Sequence, residues 1–301
     1  MASSFEKALS AVRFLEVEER YGGGGLRVVF IDSGCGRDLP LKDCVNLSNN
    51  SVVDTDDHGA HVHAILASML PDAELILVKV PETLPDNLLI TALNEAMKLS
   101  PHIISLSITS EVPSDGSDPT STYVNHVAEK SLVAVSAGNG GPRMMSIGSP
   151  AVAEGALTVG AADVRGRLWR RSSRGPTLDG RWKPNVVAPT GFTPPHAKSR
   201  KEVWGTSFAA PIAAAVAAPL VKQLSSPAAA AKILELTASS VDIHAAPPPT
   251  LTGLRKASLI RKLIHNWPHL YDPRNFAGMG MVNAAAALKL AETLRSCFST
   301  L

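Results

Sequence analysis

The feature that most narrows the fold is a recurrence. Leu26 to Ile31 is an apolar run, broken only by Arg27 and rich in β-branched residues. Runs of the same kind return at Leu75–Val80, Ile103–Ile108, Leu132–Val135, Ala156–Gly160 and Val186–Ala188. Strands buried on both faces read this way, because neither face alternates with water. Segments of helical periodicity fill several gaps, notably 58–69, 86–98 and 121–130. Strand and helix in alternation predict an α/β fold of three layers, with a mostly parallel central sheet and helices on both faces. With 45% of 301 residues hydrophobic and 19% charged, the chain can bury a sizeable core and is not disordered. No linker between 26 and 240 looks long enough to separate two domains, so 1–301 reads as a single domain. Residues 4–20 read as an amphipathic helix with Phe5, Leu9, Val12 and Val17 on one face. The run Gly22 to Gly25 ends it as a turn, since a phosphate loop would follow its strand and carry Gly-Lys-Ser/Thr.

Charge excludes further classes. Twenty-nine basic against 27 acidic side chains give a net charge of +2, with no broad basic field for nucleic acid. Three cysteines, Cys35, Cys44 and Cys297, are too few for a disulfide framework and suit a reducing compartment. Met1 to Arg20 holds four glutamates and no apolar run, unlike a signal peptide. The longest apolar stretch, Phe208 to Val221, contains Pro211 and Pro219 and falls short of the about 20 residues that span a bilayer. A cytoplasmic protein without a membrane partner is expected.

Three segments place reactive side chains at element ends. Asp32 follows the first apolar run and precedes the Ser33-Gly34 turn, where open α/β sheets gather their ligands. Taken alone it is equally a turn residue. His58 opens a helix whose positions 58, 61, 62, 65, 66 and 69 share one face, with Asp57 available as its cap. The positive end of that helix disfavours an imidazolium there. His61 and His63 offer a metal alternative, but His63 lies about 140° round from His58, so the three cannot converge on zinc. Ser207 opens the apolar helix 207–221, with its N–H unpaired at the positive end, a suitable place to meet an oxyanion. A helix-capping serine is the plain alternative.

Asp, His and Ser in that order are the order found in subtilisin. The segments Ile31-Asp32-Ser33-Gly34, His58-Gly59-Ala60-His61-Val62 and Gly205-Thr206-Ser207-Phe208-Ala209-Ala210-Pro211 together resemble the subtilisin-like serine peptidases. Ser136 to Gly141, Ser172 to Pro176, Lys183 to Pro189 and Gly278 to Ala284 support the match, in the family's order. The resemblance implies an endopeptidase working through an acyl-enzyme on Ser207. His58 would be its base and then its acid, Asp32 the group orienting the imidazole, and Asn139 a donor to the oxyanion. It further implies that Ser105 to Thr109, with Ser107 and Ile108 between, pairs with the substrate backbone. Ala137, Gly138 and Gly140 would form the opposite wall of the pocket for the side chain before the scissile bond. Peptide or protein substrates are expected, with no metal and no cofactor.

The chain also departs from the family. Thr109 stands where glycine is usual and would narrow a subsite. The helix after His58 runs to Met69 without a calcium-binding interruption, and capping explains the Asp54, Asp56, Asp57 cluster. Only 31 residues precede Asp32, too few for the family's folded prosegment, so an inhibitory or regulatory protein partner is an expectation. Residues 241–275 read as an insertion, a proline-rich loop followed by a basic helix. Gly140, Met144, Met145 and Gly148 point to a pocket without formal charge. Two other readings use the same residues, a peptide ligase or macrocyclase and a catalytically silent peptide-binding protein.

Overall fold

The computed structural model describes residues 2–21, 23–48, 50–53, 58–81, 83–196, 201–247 and 270–299. Its strands are β1 (Arg27–Asp32), β2 (Asp43–Asn46), β3 (Glu74–Lys79), β4 (Ile103–Leu106), β5 (Leu132–Ser136), β6 (Leu157–Asp163) and β7 (Val186–Thr190). They form one sheet in the order β2-β3-β1-β4-β5-β6-β7, and every pair is parallel. Successive side chains of a strand face opposite ways, so the sheet separates two cores. Val28 and Phe30 enter one with Leu75 and Leu77, while Val29 and Ile31 enter the other with Ile76 and Val78.

Helices cover both cores, as the alternation predicted. α2 (His58–Met69) and α5 (Thr206–Leu224) pack on the first, α3 (Asp86–Lys98) and α4 (Pro119–Ala128) on the second. From β1 the chain moves outward through α2 to β3, then returns through α3 on the other face to β4. Connections therefore leave β1 and β4 in opposite directions, which opens a crevice at their carboxyl ends.

α5 is the axis of the first core. Every residue from Phe208 to Val221 is buried, and its alanines let it lie close on β4, β5, β6 and β7. At 19 residues and a mean hydropathy of 1.4 the helix is long and apolar enough to cross a membrane, yet 78% of it is buried inside the fold. Pro211 stands inside this helix rather than at its first position, and having no N–H it leaves the Ser207 carbonyl unpaired. The Ser107 hydroxyl takes that place, donating to Ser207 O at 2.8 Å.

Two sequence expectations change. The predicted helix 4–20 ends at Ala11 as α1 (Ser4–Ala11), with a capping box between Ser3 and Glu6. Arg13 then adopts φ +54°, and Val12 and Phe14 turn into the core, where Val12 O accepts from the Ala284 N–H at 2.8 Å. Burial of those two side chains overrides the local helical period. β2 has no counterpart among the predicted runs, because it is only partly buried and carries no apolar pattern, unlike β7 at the opposite edge. Asp54, Asp56, Asp57 and the basic stretch Leu254 to Lys262 lie outside the described residues.

Candidate active site

The crevice collects the residues singled out from sequence. Asp32 ends β1 and is 2% exposed; its Oδ1 accepts from the Ser33 N–H at 2.8 Å and lies 2.7 Å from His58 Nδ1. An ionised carboxylate only accepts, so this contact assigns the proton to Nδ1 and leaves the Nε2 lone pair directed elsewhere. The approach of α2 to β1 that makes the contact possible depends on Gly59. A Cβ built there would lie 2.3 Å from Gly34 O and 2.6 Å from Gly34 N, so only glycine allows the two backbones to touch. His63 faces another way, stacked 5.2 Å from the Phe30 ring with Nε2 on the Pro40 carbonyl at 2.9 Å. Burial pulls its pKa down, against the Pro40 hydrogen bond, which raises it.

Ser207 is the second residue of α5, and Gly205 holds the N-cap, so the serine does not cap this helix. Its N–H is one of the donors a helix start leaves without a carbonyl partner. The His58 ring lies 5.3 Å from the Phe208 ring, which brings the imidazole beside the start of α5. The Ser207 hydroxyl is turned to the Ser107 carbonyl at 3.3 Å, so the structure joins Asp32 to His58 directly and sets Ser207 next to them without a hydrogen bond to the imidazole. One χ1 step moves a serine hydroxyl between staggered positions.

Asn139 lies at the start of α5. Its Oδ1 accepts from both the Thr206 N–H and the Thr206 hydroxyl at 3.1 Å, which fixes the amide orientation and leaves Nδ2 as the outward donor. The Asn139 amide and the Ser207 N–H therefore both lie at the start of α5.

The remaining predicted residues divide. Ser105 is fully buried within β4, too deep to meet a ligand. Ser107, Ile108 and Thr109 lie beyond the end of the β4–β5 ladder and reach the crevice. Ala137 is buried, whereas Gly138 and Gly140 are partly open on the other side. Gly138 has φ +97° and is backed by Ser173, whose hydroxyl accepts from the Gly140 N–H at 3.0 Å.

Sequence reading left out Arg143, which lies beside Gly140. Its Nη2 would lie 3.4 Å from a Cβ on Gly140 and donates to Glu111 O at 3.2 Å, while Met144 and Met145 are buried in the core. Sequence reading also missed Val80, Pro81 and Leu84. With Asp32, Ser33, His58 and Ile108 they line a hollow of about 260 Å³ beside the imidazole. The signal was available, since Val80 directly follows β3, the neighbour of β1, at the same edge of the sheet.

Residues 42–257 match the model of the subtilase family (Peptidase_S8). Asp32 precedes the matched segment, and its place in the site rests on the contact with His58. The chain is similar to pyrolysin of Pyrococcus furiosus, 36% identical over 157 residues that make up 40% of this chain and 11% of pyrolysin. It is also similar to serine protease AprX of Bacillus subtilis, 28% identical over 256 residues, 67% of this chain and 58% of AprX. It thus spans less than two thirds of either relative's length. Its fold is shared by the prenylagaramide maturation protease PagA, at 21% identity and a TM-score of 0.67, over 92% of this chain and 98% of PagA. MycP1 with its N-terminal propeptide removed shares it too, at 20% identity and a TM-score of 0.69, over 94% and 96% of the two chains. With the family model covering most of its length, the chain belongs to the subtilase family of subtilisin-like serine peptidases.

Proposed function

We propose that this protein is a serine endopeptidase that cleaves peptides or proteins through an acyl-enzyme on Ser207. The observation that carries the reading is the 2.7 Å contact of buried Asp32 with His58 Nδ1, which makes Nε2 the basic nitrogen of the ring, next to the helix start that holds Ser207. The Ser207 hydroxyl turns from the Ser107 carbonyl to Nε2, and its oxygen attacks the scissile carbonyl carbon as the proton passes to His58. The oxyanion is held by Asn139 Nδ2 and the Ser207 N–H. Collapse expels the amine, which takes the proton from His58. Water then repeats the sequence on the ester and frees the acid. None of these steps calls on a metal or cofactor.

The test is intact-mass analysis after incubation with a small fluorophosphonate, beside Ser207→Ala. A single adduct on the parent, absent from the variant, is expected, followed by hydrolysis of a peptide library. No adduct on folded protein would overturn the reading in favour of a silent peptide-binding protein. Joined rather than hydrolysed product, with an amine acceptor present, would turn it to a ligase.

A further inference from the structure

Resting on that reading, we propose that Thr109 sets an upper size limit on the residue that supplies the scissile carbonyl, so that the protein cuts after glycine, alanine or serine and rejects large side chains. β4 and β5 are paired up to Leu106 and Val135, and beyond that pair no ladder joins them. The splayed ends, Ser107 to Thr109 and Ser136 to Gly138, form the two sides of a slot. Ser207 Oγ stands 3.3 Å from Ser107 O, on one rim, and Asn139 follows the other. A carbonyl placed between that hydroxyl and Asn139 Nδ2 lies over the mouth of the slot. A chain running along Ser107 to Thr109 then directs the side chain of the same residue downward between the two sides.

Thr109 occupies that space. Its hydroxyl crosses the slot to donate to the Ser136 carbonyl and lies 3.2 Å from the Ser136 hydroxyl. Its methyl would lie 3.6 Å from a Cβ on Gly138, in ordinary contact distance of the far wall. The side chain is thus tied to one wall and packed against the other, and β-branching leaves it few alternative rotamers. Behind Gly138 the Ser173 hydroxyl would be only 3.0 Å from a Cβ at that position, so the wall has little room to retreat. A substrate methyl fits above such a bridge, whereas a benzyl or isobutyl group needs the volume that Thr109 fills. A hydrogen-bonded hydroxyl resists displacement more than a loose methyl does, because the move would strand a polar pair.

The experiment compares second-order inactivation rates with peptidyl diphenyl phosphonates that differ only in the terminal side chain, methyl against benzyl. The same batches are labelled with the small fluorophosphonate. The parent is expected to react roughly 100-fold faster with the methyl probe, the scale of discrimination a pocket of fixed volume gives. In Thr109→Gly the ratio should fall below about ten, on that same scale. Thr109→Ser keeps the hydroxyl link and loses only the methyl, and should show an intermediate ratio even if Thr109→Gly folds poorly. Equal rates with the two probes on a parent that takes the fluorophosphonate would overturn the size limit and leave the active-site reading intact. An unchanged ratio in Thr109→Ser and in folded Thr109→Gly would also remove Thr109 from the account. A parent that takes no fluorophosphonate would instead overturn the reading on which the limit rests.

Discussion

Gly59→Ala tests whether the separation of two backbones, rather than the identity of the reactive side chains, holds the site together. The added methyl carbon would start 2.3 Å from Gly34 O and 2.6 Å from Gly34 N. Heavy atoms rest near about 3.5 Å, so α2 and the turn after β1 must part by roughly 1 Å. His58 is the neighbour of residue 59, and Asp32 lies two residues before Gly34, so the same movement stretches the 2.7 Å contact between them past the about 3.2 Å at which such bonds fail. Overpacking of this kind costs about 1–3 kcal/mol. At this chain length that lowers Tm by about 2–6 °C. A misplacement near 1 Å lowers the rate of the reaction step roughly 100-fold.

The assay pairs thermal unfolding with the pseudo-first-order rate of fluorophosphonate labelling. Gly24→Ala serves as control, because a methyl there would meet nothing nearer than Asp72 Cβ at 3.9 Å. A Gly59→Ala protein with the Tm and labelling rate of the parent would refute the argument. A lower Tm with an unchanged rate would show that the strain relaxes away from His58, which refutes the link between that approach and the site.

Two further outcomes follow from single side chains. Asn139→Ala should lower kcat by about 10²–10³ with little change in KM, the loss measured for the matching donor in subtilisin itself, a member of this family; equal loss in KM alone would remove the residue from the oxyanion's surroundings. For Asp118, burial pushes the carboxyl up, but hydrogen bonds from Ser149, the Ser121 N–H, Ser114 and the Ser121 hydroxyl outweigh it and hold the pKa below its usual value. A carboxyl lowered in the folded state stabilises above its unfolded pKa of about 3.9, and that contribution is lost as pH falls through the lower folded value. Asp118→Asn should therefore lower the urea midpoint at pH 7, and its deficit against the parent should shrink below about pH 4; a deficit independent of pH would show that the charge contributes nothing.

What the sequence disclosed and what it concealed divide along a physical line. Strands β1, β3, β4, β5, β6 and even the edge strand β7 are buried, so their apolar runs announce them, whereas β2, at the other edge, is left partly exposed and does not. Helices 58–69 and 86–98 were legible to the residue because their periodic faces meet a core directly. The stretch 12–20 was misread because Val12 and Phe14 are apolar for the sake of distant partners, not of a continuing helix. In the site, Asp32, His58, Asn139 and Ser207 could be named from motifs. Their relations could not: the fixed amide of Asn139, the hydroxyl of Ser207 resting on Ser107, and the reach of Thr109 to Ser136 each join segments far apart in the chain.

The helix that seats Ser207 has a consequence for the life of the chain before and after it is folded. Its 19 residues are acceptable to a bilayer by length and hydropathy, and only the surrounding sheet and helices conceal them. Its apolar surface is covered by β4 to β7, α2, the helix Pro227–Leu236 and the helix Ala284–Ser299, most of which arrive from distant parts of the sequence. A nascent or thermally opened molecule therefore displays a greasy segment that the adjoining helix 227–236 covers only in part, and the rest must wait for distant partners. Self-association competes with refolding in that interval. Recovery from denaturant should fall as protein concentration rises, and heat inactivation should follow the rate of opening rather than an equilibrium, so a chaperone that captures extended apolar segments would preserve this protein better than any ligand of its cleft.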